Sequence, residues 1–83
     1  MKSVNEIADE ILRLFVRKGY KPGEPLMERE ITSRYARTLQ REELPNLSAA
    51  VELLIDNGYI EPSSRIEYCY ILTNKGYNKL QKN

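Results

Sequence analysis

Eighty-three residues make one small domain, with a core modest enough to leave it only marginally stable. Hydrophobic content of 41% with 30% charged residues is that of a soluble globular chain, and no apolar run is long enough to cross a bilayer. Net charge is +1, but residues 45–62 hold only acids and residues 63–83 are basic, so the electrostatics are uneven. Histidine is absent, which removes the commonest metal ligand and general base. The single Cys69 has no partner for an internal disulfide, and with no signal-peptide pattern at the N-terminus a cytoplasmic location is expected.

In chain order, Ser3-Val4-Asn5-Glu6 fits a capping box. Val4, Ile7, Ala8, Ile11, Leu14 and Phe15 follow at helical spacing, and Gly19 closes this first helix. Residues 20–25 read as a loop with a Pro-Gly turn. A second helix is expected from about Met27 to Gln40, its apolar stripe being Met27, Ile31, Tyr35 and Leu39. Arg34, Arg37 and Arg41 share a neighbouring face there, with Glu30 one turn before Arg34.

The stretch from Leu44 to Leu72 organises the chain. Leu47, Ala50, Val51, Leu54 and Ile55 form one face of a third helix, Pro45 suits its first turn, and Asn57-Gly58 ends it. Two strands are expected at about Tyr59–Glu61 and Glu67–Leu72, joined by Pro62-Ser63-Ser64-Arg65. The second strand has apolar residues on both faces, so both are covered in part. Thr73 is a good N-cap for a last helix over 74–81, with Tyr77 and Leu80 turned inward and Lys75, Lys79 and Lys82 on a basic side. The fold class is therefore α+β, mainly α, as a single domain over residues 1–83.

Asn57-Gly58-Tyr59-Ile60-Glu61 resembles the end of the third helix in winged helix-turn-helix domains. Tyr70-Ile71-Leu72-Thr73-Asn74-Lys75-Gly76 resembles the Y-x-L-T-x-K-G close of the wing in PadR-like and MarR-like regulators. The resemblance implies a three-helix core, a two-stranded wing and a short C-terminal helix. It also implies a prokaryotic or viral DNA-binding protein whose third helix lies in the major groove of double-stranded DNA. On that reading Asn46, Ser48 and Ala49 face base edges, while Arg34, Arg37, Arg41 and Arg65 hold phosphates. Ser63 and Ser64 would also meet phosphate. A homodimer is expected because one module makes a small interface, with Leu14, Phe15, Tyr77 and Leu80 as its seam. The expected job is transcription regulation.

Each of these residues also has a plainer explanation, as solvated helix surface or turn. The third helix carries no Lys or Arg, and Glu52 and Asp56 repel a polyanion. A protein-contact winged helix is thus the alternative, for example an accessory subunit of a phage, plasmid or mobile-element replication complex. Single-strand binding through the six tyrosines is a third reading. Nothing in the pattern calls for catalysis, a cofactor or a metal: there is no glycine-rich phosphate loop, no Cys/His spacing and no Ser/His/Asp set.

Overall fold

The computed structural model describes residues 1–81; the predicted basic residue Lys82 lies outside them. Helix α1 (Val4–Arg17) opens as its sequence dictates. The Glu6 N–H donates to Ser3 Oγ at 3.2 Å, and the Ser3 N–H donates back to Glu6 Oε1 at 3.2 Å. Ile7, Ala8, Ile11 and Phe15 are buried as expected, and Leu12 joins them, widening the apolar stripe. Phe15 has no exposed surface, so it belongs to the core and cannot form part of a dimer seam. The Gly19 N–H donates to Val16 O and the Tyr20 N–H to Phe15 O, both at 2.9 Å, with Gly19 in the left-handed region (φ 78°). That pair of bonds is a Schellman motif.

The next segment departs from expectation. Strand β1 (Pro25–Met27) occupies residues read as loop and helix start. Its pattern is exposed, buried, exposed, with Leu26 wholly inside. Met27, placed by spacing on a helical stripe, is instead an exposed strand residue. Pro25 can take this place because β1 is an edge strand, where a missing N–H is tolerated.

The following helix is short and mixed. It enters through a helical turn at 28–29, widens into a π-helix over Glu30–Tyr35 and tightens into a 3₁₀ turn over Ala36–Thr38. The Ala36 N–H reaches back five residues to Ile31 O. Ile31 and Tyr35 are buried, and the chain turns extended at Leu39. A 3₁₀ turn, Arg41–Glu43, leads into helix α2 (Leu44–Asp56). Leu47, Ala50 and Leu54 are buried, with Val51 and Ile55 half-buried beside them. Asn57-Gly58 ends α2 in a second Schellman motif: the Gly58 N–H donates to Ile55 O at 3.0 Å and the Tyr59 N–H to Leu54 O at 2.9 Å.

The expected two-stranded ribbon is one side of a three-stranded antiparallel sheet in the order β1-β3-β2. Strand β2 is Ile60–Pro62 and β3 is Cys69–Leu72, with Ile60 opposite Leu72 and Leu26 opposite Tyr70. β3 is shorter than predicted because Tyr68 takes a left-handed conformation (φ 59°), which costs a side-chain-bearing residue about 1–2 kcal/mol. Its carbonyl accepts the Glu28 N–H at 2.7 Å and so satisfies the start of the helix over 28–38.

Helix α3 (Asn74–Gln81) packs against α1, and its first turn sits on the Asn57–Tyr59 link that follows α2. The Thr73 hydroxyl caps α3 by accepting the Gly76 N–H at 3.0 Å, and donates toward Gly58 O at 2.6 Å with Tyr59 O at 2.9 Å. Lys75 Nζ donates to Asn57 O at 2.7 Å. Gly76 passes so close that an added Cβ would lie 2.1 Å from the Tyr59 carbonyl oxygen. Tyr77 and Leu80 pack half-buried against the core built by Ile11, Phe15, Leu26, Ile31, Leu54 and Leu72. Among the described residues no helix is long and apolar enough to cross a membrane.

Gly76→Ala is therefore expected to destabilise the domain by about 2–3 kcal/mol, because backbone rather than a flexible side chain blocks the methyl group. Thermal denaturation followed by circular dichroism checks it; a melting temperature lowered by roughly 10 °C or more is the expected result.

Candidate nucleic-acid interface

Pro45 and the apolar stripe fix which way α2 faces. Its outward side carries Leu44, Pro45, Ser48, Ala49, Glu52 and Asp56, all exposed. Ser48 and Ala49 thus stand where the sequence placed them, on an open surface made of small groups. Asn46 does not: it is half-buried, and its Nδ2 donates to the Lys2 carbonyl at 3.1 Å. The amide holds the start of the chain against the start of α2.

Glu43 completes that attachment. Its carboxylate accepts the Gln40 N–H at 2.7 Å and the Lys2 N–H at 2.5 Å, and only 4% of the residue is exposed. These main-chain donors hold the Glu43 carboxyl below the usual carboxylate range. On the other side of Lys2, its Nζ reaches Glu10 Oε1 at 2.9 Å, and the buried Tyr35 hydroxyl donates to the same oxygen. Burial alone would raise the Glu10 carboxyl; the hydrogen bonds from Tyr35 and Lys2 and the charges of Lys2 and Arg13 outweigh it, so it too lies low. Tyr35 is pushed well above the ordinary phenol range, by burial first and then by its bond to Glu10.

The three arginines grouped by sequence do not all line one feature. Arg37 and Arg41 are exposed in the 3₁₀ turns that lead to α2, and neither makes an ion pair among the described residues. Arg34 sits in the wide π turn, 3.7 Å from Glu30, and lines a cleft against α1 that neither Arg37 nor Arg41 borders. Spacing drawn for a 3.6-residue turn does not carry over to a π-helix. The cleft, about 490 Å³, also takes Lys2, Arg13, Arg17 and Lys18. Sequence reasoning passed over this group, although Arg13 and Arg17, one turn apart, were its visible signal.

Arg65 is exposed in the hairpin turn between β2 and β3, beside exposed Ser64. Ser63 serves the turn itself: its Oγ accepts the Ile66 N–H at 3.0 Å and the Arg65 N–H at 3.3 Å. Of the tyrosines, only Tyr68 is fully open, at 75% exposure; with Ile66 and Met27 it leaves apolar surface near the hairpin. Tyr59 is half-buried under Lys75 and Lys79, whose ammonium groups lie 5.0 and 5.4 Å from the ring centre. Cys69 is buried. Among the described residues no three His, Cys, Asp or Glu side chains gather into a group that could hold a metal ion.

In the folded protein the Glu10 and Glu43 carboxyls are both held below the ordinary carboxylate range, Glu10 by its Tyr35 and Lys2 bonds and Glu43 by its main-chain donors. Their contribution is present above the unfolded value and is lost as pH falls through the lowered folded values. The melting temperature should hold steady from pH 7 to about 5 and fall below about 4.5. Glu43→Gln should lower it at pH 7 and flatten the acid-side fall, in melts run between pH 3 and 7.

Comparison with known proteins does not place the chain in a family: no family model, no curated protein and no solved structure matches it.

Proposed function

We propose that this chain is a winged helix-turn-helix protein that binds duplex DNA, as a small transcriptional regulator acting as a homodimer. The observation that carries the reading is the arrangement around α2. Its N-terminal half offers a low surface of Pro45, Ser48 and Ala49, and the exposed Arg37 and Arg41 precede it. Small side chains let a helix approach a groove closely, and flanking guanidinium groups suit phosphates by bidentate bonding. The order of elements also supports it: helix, strand, helix, helix, then a hairpin whose second strand pairs with the first strand of the chain. Arg65, on the hairpin turn, is a third phosphate contact on this reading.

Ser48 and Ala49 face base edges, while Asn46 is withdrawn from that role by its bond to Lys2. The dimer seam runs over α3 and the flank of α1 beside it, where Tyr77 and Leu80 are half-buried and Val16 is 39% exposed; Leu14, also expected there, instead lines the cleft against the π-helical segment. A second reading has its own support. Glu52 and Asp56 make the far half of α2 acidic, which suits a basic protein surface better than a phosphate backbone. On that reading the domain is a protein-contact module.

An electrophoretic shift with mixed-sequence duplex and single-stranded DNA at two salt concentrations separates the two. The DNA reading expects a duplex shift that weakens steeply with salt. Arg37→Ala combined with Arg41→Ala should lower the log–log salt slope by roughly two, at about 0.9 per phosphate. Absence of any shift at low salt, with co-elution of a protein partner, selects the second reading.

A further inference from the structure

The cleft between α1 and the π-helical segment plays no part in the reading of α2 given above. Its two carboxylates are already occupied within the protein. Glu10 takes Lys2 and the Tyr35 hydroxyl; Glu30 takes Lys18 at 3.3 Å and Arg34 at 3.7 Å. Arg13 and Arg17 are exposed, line the cleft, and make no ion pair among the described residues. The favourable field at the C-terminus of α1 accounts for Arg17 and Lys18 near its end. It does not account for an Arg34 brought alongside them from another helix.

We propose that this cleft binds the phosphate backbone of duplex DNA, as a second contact separate from the exposed face of α2. Three arginines from two helices converge on it, with five cations against two carboxylates in all. Arginine forks match phosphate geometry, and their weak hydration favours them over lysine in such a role. An acidic protein segment fits less well. The arginines and aromatic groups that anchor protein interfaces sit in tightly packed, desolvated pockets, whereas Arg13, Arg17 and Arg34 are exposed and Tyr35 is already buried within the domain. The proposal rests on the reading that this chain binds duplex DNA, but not on the part given to α2, since no α2 residue borders the cleft.

Fluorescence anisotropy on a labelled mixed-sequence duplex, between 50 and 200 mM salt, tests it with three paired variants. Arg13→Ala with Arg17→Ala touches only exposed helix positions, so the fold should survive. It should lower the salt slope by roughly two, and the unmodified protein should then lose roughly twelvefold more affinity than the variant over this salt range. Arg13→Lys with Arg17→Lys should keep the slope; a loss equal to that of the alanine pair would trace the effect to packing rather than charge and overturn the proposal. Unchanged affinity and slope in the alanine pair would overturn it outright. If Arg37→Ala with Arg41→Ala leaves the slope intact while the cleft pair flattens it, the cleft stands and the role given to α2 falls. No binding at 50 mM salt by the unmodified protein removes both.

Discussion

Gly76 against the Tyr59 carbonyl is the contact on which the back half of this protein turns. With no side chain at 76, the first turn of α3 comes down onto the Tyr59 carbonyl just past the end of α2, and Thr73 bonds to Gly58 O and Tyr59 O beside it. Lys75 adds a bond to Asn57 O and lies over the Tyr59 ring. Three consecutive structural decisions meet here: where α2 stops, where β2 starts, and how α3 begins. The two short sequence pieces that suggested a winged helix, Asn-Gly-Tyr-Ile and Thr-Asn-Lys-Gly, are the two halves of this one joint. Their pairing is a matter of folding, and it says nothing of what the protein binds.

A second joint closes the front. Lys2 is bonded through its N–H to Glu43, through its carbonyl to Asn46 and through its ammonium group to Glu10. A nearly buried carboxylate such as Glu43 is costly unless its oxygens are satisfied, and two main-chain donors satisfy them. The same bonds spend the amide of Asn46 on structure. The acids at the start of α2 are thus divided in role: Glu43 is internal, whereas Glu42 remains at the surface.

Much of the fold was legible because its signals are short-range. The Ser3 capping box, the glycines after α1 and α2, the Leu47-to-Leu54 stripe and the Thr73 cap each depend on residues within about one helical turn. The candidate site was legible only in part. Ser48, Ala49, Arg37, Arg41 and Arg65 are surface residues as their spacing implied. Asn46 and Ser63, both read as DNA contacts, are held by Lys2 and by the hairpin turn. Arg34 left its expected group because the helix that carries it has a wider turn.

Taken alone, the sequence determined three helical segments with their ends, a hairpin after α2, and a domain of α+β class that is mainly helical. Tertiary structure decided the rest. β1 has only one buried residue, Leu26, and a three-residue strand carries too little pattern to announce itself. It exists because β3 offers an open edge and the core needs Leu26 over it. The basic cleft likewise comes into being only when the flank of α1 meets the π turn. Long-range pairing leaves no periodic trace in the chain, since each partner is shaped by an element far away in sequence.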